Sequence, residues 1–229
     1  MTISTAALGP PKVHAGAQWL AAVTSAPRTP ETLSATLESI AAAGWPSCPV
    51  IFDRHRLGPW PTFRQTLAWL VLEAVRFGCP DTMLLVFQDD ILLSQGGRRY
   101  LANHPPPVDG ILSLFASAGL VTPGALGEGQ SGWYPVKRLP RSYGAQALAM
   151  PLSIAVELLR RPPCPRRRTQ TDFWISRFCR DRKIPYYVHH PSLVMHIGNS
   201  SSLDRPNENT HLRQCGTWLS AAPLSPSHA

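Results

Sequence analysis

The stretch MLLVFQDDI, residues 83–91, decides how the chain is read. Five consecutive apolar residues, 83–87, lead into Gln88 and two adjacent carboxylates, Asp89 and Asp90. A short unbroken apolar run has no polar face to leave in water, so it predicts a strand buried on both sides, as in α/β domains. In such sheets ligands bind beyond the carboxyl ends of the strands, which is where the two acids fall. Neighbouring carboxylates repel each other unless a cation lies beside them. Mg2+ or Mn2+ meets that need, because hard divalent ions take oxygen ligands and bridge to phosphate. The plainer alternative is a turn in which Asp90 caps the next segment, and a dipeptide alone does not choose between the two.

Working outward, apolar strands alternate with amphipathic helices. Towards the amino end, residues 19–23 form an apolar run that ends in Thr24 and Ser25. Thr29, Pro30 and Glu31 read as a helix N-cap, a first-turn proline and an acid suited to the helix dipole. Leu33, Leu37 and Ile40 follow at helical spacing, and Gly44 is the stop. Residues 49–52 predict a second strand ending at Asp53. A second helix carries Leu67, Leu70, Val71, Ala74 and Val75 on one face and closes at Gly78 and Pro80. Towards the carboxyl end, strands are expected at 111–115, 145–150, 185–189 and 193–197, with helices from Pro151 to residue 159 and over 171–183.

This alternation predicts an α/β fold with a mixed, mainly parallel sheet flanked by helices on both faces. Thr24, Asp53 and the Asp89–Asp90 pair are each the first polar group after an apolar run, so they should rim one edge. Between residues 120 and 145, Gly124, Gly127, Gly129 and Gly132 surround Trp133 and Tyr134. The segment is longer than an ordinary connection and reads either as a lid or as a surface loop.

Two further residues carry chemistry. His196, in MHIGNSS, ends a late apolar run and precedes Gly198 and the serines at 200–202. Alone it reads as a structural histidine; beside an early carboxylate it completes a mixed oxygen and nitrogen ligand set, with Gly198 allowing close approach of a phosphate. Asp172, in QTDFWISRF, reads on physics alone as a helix-start acid. The functional alternative is a general base beside Phe173 and Trp174.

Composition sets the outer limits. The 229 residues, 44% of them apolar, suit one domain, with residues 1–17 and 220–229 as flexible ends and residues 18–219 as the folded unit. The 24 prolines sit mainly at the ends and in connections. The net charge of +8 favours anionic partners, and much of it lies in the arginine-rich stretch 160–183. Five scattered cysteines form no CxxC pair, which speaks against a zinc site or a disulfide framework. Neither a secretory leader nor an apolar run of ~20 residues is visible, so a cytoplasmic chain without a transmembrane segment is expected.

The order of these features resembles the GT-A glycosyltransferases. WLAAVTSAPR, residues 19–28, resembles their first nucleotide-binding strand and turn, and FQDDI, residues 87–91, their metal motif. Residues 170–203 resemble the acceptor-side acid, late strand and closing His-x-Gly of the branching N-acetylglucosaminyltransferases. The resemblance implies a Rossmann-like GT-A domain, with a nucleotide half over about 18–120 and an acceptor half over about 121–219. It implies a hexosyl- or N-acetylhexosaminyltransferase that takes a nucleoside-diphosphate sugar, a UDP-sugar first among them, with Mn2+ or Mg2+. Asp90 and His196 would hold the metal, and Asp89 would contact ribose or the donor sugar. Thr24, Ser25 and Arg28 would lie against the nucleotide, Asp53 would bond the base or ribose, and Arg64 would reach the diphosphate. Asp172 would be the base of an inverting reaction, and Trp133 and Tyr134 would sit on a lid over donor and acceptor. Gln88 stands where the family commonly has an acid, which lowers the negative charge of the site. The basic stretch adds a polyanionic acceptor as an option, whether glycan, lipid headgroup or modified DNA. Two other readings stay open: a nucleic-acid-binding module using residues 160–183, and a metal-dependent phosphohydrolase using Asp89, Asp90 and His196.

Overall fold

The central strand forms where the sequence places it, and the rest of the fold is arranged around it. The computed structural model describes residues 18–27, 31–116, 131–136, 144–161 and 170–198. In chain order the elements are β1 (Trp19–Ser25), α1 (Leu33–Ala42), β2 (Val50–Phe52), α2 (Pro59–Arg76), β3 (Met83–Gln88), β4 (Ile91–Leu93), α3 (Gly97–Asn103), β5 (Ile111–Ser113), β6 (Gly132–Pro135), β7 (Ala147–Pro151), α4 (Leu152–Arg160), α5 (Thr171–Arg182), β8 (Tyr186–His190) and β9 (Val194–His196).

Seven strands make the main sheet in the order β2-β1-β3-β7-β5-β8-β6. β1 runs parallel to both β2 and β3, and β5 runs parallel to β8. β7 is antiparallel to β3 and β5, and β6 is antiparallel to β8. Five strands therefore share one direction and two oppose it, the mixed but mainly parallel sheet expected. β4 and β9 leave the main sheet and pair with each other, antiparallel, as a small second sheet.

Helices cover both faces. On one, Trp19, Val23, Met83, Leu85 and Phe87 pack with Ile40 of α1, Tyr100 and Leu101 of α3, and the β4–β9 residues Ile91, Leu93 and Val194. On the other, Ala22, Leu84 and Val86 pack with Trp60, Phe63, Leu67 and Leu70 of α2, Leu158 of α4 and Phe178 of α5. Odd and even residues of β3 thus face opposite cores, as the period of two requires. Among the described residues no helix is long and apolar enough to cross a membrane.

Several sequence expectations need correction. The apolar stripe of α2 runs Trp60, Phe63, Leu67, Leu70 and Ala74, while Val75 points outward at 64% exposure. The N-cap position of α1 is Thr32, and its hydroxyl donates to the Asp89 carbonyl at 2.6 Å instead of capping its own helix. Thr29 and Pro30, read as the start of that helix, lie outside the described residues, as do Arg28, residues 1–17 and residues 220–229. Trp133 and Tyr134 are the residues expected on a lid. They belong to edge strand β6, with Trp133 packed on the α1 face and Tyr134 on the α2 face. Large aromatic residues suit a half-buried pleated surface, and that preference outweighs the flanking glycines. The glycines at 124, 127 and 129 lie outside the described residues.

His189 of β8 is fully buried and was not singled out in the sequence. Its Nδ1 lies 2.7 Å from the Pro191 carbonyl, which can only accept, so Nδ1 carries the proton. Nε2 then accepts from the Tyr100 hydroxyl at 3.1 Å, and the Tyr100 oxygen lies 2.7 Å from Ser131 Oγ. Tyr100 and Trp133 meet the ring edge to face. Burial holds its pKa down to about 4 from an ordinary 6.5. The unfolded chain therefore binds a proton at pH values where the folded chain does not. Stability is unaffected above pH 6.5 and falls as the pH drops towards 4, by an amount on the order of 3 kcal/mol. Urea unfolding across this range should show that loss, and His189→Gln should flatten it.

Candidate functional site

β3 delivers Asp89 and Asp90 to the carboxyl edge of the sheet, where the chain turns into β4. Both acids are almost wholly buried, and their carboxylates face different partners. Asp89 Oδ2 accepts the Ser25 hydroxyl at 2.7 Å and the Ala26 N–H at 3.0 Å, which ties the end of β3 to the end of β1. Asp90 Oδ2 lies 2.9 Å from His196 Nε2. The side chains of His196 and Asp90 are only 5% and 7% exposed.

Backbone pairing explains why residues 106 positions apart meet. In the β4–β9 ladder Ile91 stands opposite His196, and the Ile197 N–H donates to the Asp90 carbonyl at 2.8 Å. Buried Thr36 of α1 closes the outer side of β4: its hydroxyl donates to the Ile91 carbonyl and accepts the Ile91 N–H. Gly198 completes the cradle. A Cβ there would stand 2.6 Å from Asp90 Oδ2 and 3.1 Å from His196 Nε2, closer than a side chain tolerates.

The other expected site residues divide. Thr24 and Gln88 are paired across β1 and β3, half-buried and beside the acids. Asp53 rims the same edge but organises a turn: its two oxygens accept the N–H groups of Leu57 at 2.7 Å and Gly58 at 2.8 Å. That turn starts α2. Arg64, expected at the diphosphate, is placed elsewhere. Its guanidinium donates to the carbonyls of Arg161 at 2.8 Å and Leu159 at 2.7 Å and lies over the Trp60 ring. It thereby satisfies the open carbonyls that every helix leaves in its last turn.

Asp172 occupies the first turn of α5, and its Oδ1 accepts the Phe173 N–H at 2.8 Å. Two residues on, Trp174 stacks against Trp60 at 5.9 Å, and Trp60 opens α2 just after the Asp53 turn. The first turn of α5 therefore stands at the carboxyl edge too, on the α2 face, while Asp90 and His196 stand on the α1 face.

The ligand chemistry of a metal can be tested against this arrangement. Among the described residues no group of three or more His, Cys, Asp or Glu is placed to hold an ion. Asp90 and His196 still bring one oxygen and one nitrogen to one point, with the Gly198 backbone packed close beside them. Such a pair fits an ion that completes its shell with substrate phosphates and water, as Mg2+ and Mn2+ do in nucleotide sites. Burial pushes the thiols of Cys48 and Cys179 up to about 12, which disfavours the thiolate that nucleophilic chemistry needs.

No protein-family model and no curated protein sequence matches the chain. Among solved structures the chain is similar to the catalytic domain of Drosophila beta1,4galactosyltransferase 7 in complex with xylobiose. The identity is 13% and the TM-score 0.43, over 88% of this chain and 83% of that chain. A likeness of that degree assigns no activity.

The cradle yields its own test. Gly198→Ala forces a methyl group against Asp90 and His196, and overpacking of this kind costs about 1–3 kcal/mol. Chemical unfolding should show that loss. The same replacement at Gly78, where a Cβ meets nothing within 4 Å but φ is +65, reports backbone strain alone.

Proposed function

We propose that the chain is a glycosyltransferase. It moves a sugar from a nucleoside-diphosphate sugar, a UDP-sugar in the first instance, to an acceptor hydroxyl, with Mn2+ or Mg2+ held by Asp90 and His196. The observation that carries the reading is the contact between these two side chains at 2.9 Å, built by a dedicated strand pair and closely approached by the Gly198 backbone.

The residues divide the work along the edge. Thr24 and Ser25, at the end of β1, lie against the nucleoside, and Asp89 fixes that end of the strand through the Ser25 hydroxyl. Asp90 and His196 face the diphosphate. When bound, the cation supplies positive charge that offsets the charge building on the leaving group. Asp172, across the edge on the α2 face, takes the proton of the acceptor hydroxyl as that oxygen attacks the anomeric carbon, which makes the reaction inverting. Gln88, neutral where related sites carry an acid, leaves the site less negative and therefore more dependent on bound diphosphate for metal affinity. Hexosyl and N-acetylhexosaminyl donors both fit this division.

A second reading, binding of a polyanion such as nucleic acid or a modified-DNA acceptor, draws on Arg177 and Arg180, whose side chains are 49% and 68% exposed. Much of the basic stretch has structural duties: Arg161, Arg177 and Arg180 surround Asp181, and Arg182 pairs with Glu157. The arginines at 166–168 lie outside the described residues. Affinity for DNA that falls steeply with salt and ignores Asp90 would favour this second reading.

Thermal shift decides the first reading. UDP, GDP, CDP and dTDP are each tested with and without Mn2+, and one should stabilise the protein only with the metal, by about 2.7 kcal/mol at ~100-fold saturation. Asp90→Ala should abolish that metal-dependent shift. Asp172→Asn should keep it and lower transfer by a factor of about 10²–10⁴. Normal turnover of Asp172→Asn would return that residue to a structural role at the helix start.

A further inference from the structure

Gln146 stands one residue before β7, at the edge where β3 ends. Its carbonyl accepts the Gln88 N–H at 2.8 Å, and the next pair along the ladder is Phe87 with Ala147. The two glutamines are therefore neighbours across the central strands, directly beside the Asp89–Asp90 turn. Gln146 is half-buried, and its Oε1 is enclosed with no hydrogen-bond partner. An enclosed amide oxygen left unpaired costs a fold stability, and its persistence calls for a reason. Gly144 packs against it: φ there is +131, and a Cβ would stand 3.1 Å from Oε1 and 2.9 Å from the Phe115 ring.

We infer that Gln146 reads the transferred sugar, its amide oxygen accepting a hydroxyl or N–H of the donor's sugar ring. The inference rests on the transferase reading above and adds a specificity residue to it. The strand order supplies the geometry. β1, β3 and β7 are consecutive in the sheet, so Ser25, Asp89–Asp90 and Gln146 follow one another along its carboxyl edge. Neighbouring strands lie about 4.8 Å apart, so Ser25 and Gln146 are separated by roughly 10 Å. That is the scale of a nucleotide sugar laid along the edge, with nucleoside at β1, diphosphate at β3 and sugar at β7.

The chemistry of the amide selects the same portion of the ligand. An acceptor oxygen is repelled by diphosphate oxygens, which also only accept, and is matched by a sugar's hydroxyl groups. The last torsion of a glutamine is broad, and Gln146 is only half-buried, so rotation of the amide is the movement by which its oxygen would reach a ligand at the edge. Phosphate recognition stays with Asp90 and His196, and the two functions separate by one strand.

The test uses Gln146→Met, which keeps the side chain's length and removes both amide atoms. Melting temperatures and affinities are measured with Mn2+ and UDP, UDP-glucose, UDP-galactose or UDP-N-acetylglucosamine, beside wild type. The variant's ligand-free melting temperature should hold or rise, because the unpaired oxygen is gone. Its affinity for UDP should stay within about twofold, while affinity for the preferred UDP-sugar falls about tenfold and the ranking of sugars flattens. If the variant keeps the wild-type ratio of UDP-sugar to UDP affinity, the inference is overturned. Should the methionine variant fail to fold, Gln146→Asn withdraws the amide by one methylene and carries the same expectation. If no nucleoside diphosphate binds wild type with Mn2+, the transferase reading fails, and this inference fails with it.

Discussion

The candidate site depends on a strand pair of three residues a side. β4 and β9 lie apart from the main sheet and are held to each other by the ladder that sets Ile91 opposite His196. Such a ribbon is marginal in water by itself. Here it is fastened on every side. Ile91, Leu93 and Val194 enter the core above β3, and α1 offers Thr36 and Ser39 to the strand's open backbone groups. Ser94 adds a bond to the Leu193 carbonyl at 2.8 Å. A helix that hydrogen-bonds a strand edge removes the liability of unpaired N–H and C=O groups. It also fixes the position of His196 to the accuracy of the backbone.

The same economy governs the rest of the edge. Asp53 and Arg64 are charged groups that the sequence offers to a ligand, yet each is turned towards backbone: one gathers the N–H groups that start α2, and the other closes the carbonyl end of α4. Buried charge with several hydrogen bonds is tolerable, whereas buried charge without them is not. These two residues hold the scaffold from which Trp60 and α5 are placed. Part of the charge at the edge thus serves to shape it.

Legibility in the sequence follows the range of the interactions. The buried strand 83–87, the helix carrying Leu67 and Leu70, and the late runs near Tyr186 and Val194 were readable because hydrophobic period and breaker residues are local signals. The departure of β4 and β9 from the main sheet was not readable, because a three-residue strand has no period to detect and its partner lies far along the chain. The antiparallel course of β7 escaped for the same reason. At the site, the proximity of His196 to Asp90 was anticipated from the order of motifs. The scaffold duties of Asp53 and Arg64 were not, since a charged side chain looks the same whether it faces a substrate or a backbone amide. Gln146 left no signal at all; its interest comes only from an unpaired atom seen in three dimensions.

The long separation between Asp90 and His196 has a consequence for how the protein comes into being. Contacts between distant positions are among the slowest to form, because the loop entropy between them must be surrendered first. During synthesis β1, β2 and β3 have all emerged within the first ninety or so residues. The acid that follows β3 must wait for a strand made about a hundred residues later. The imidazole therefore meets its carboxylate only after the chain is nearly complete and that last strand has docked.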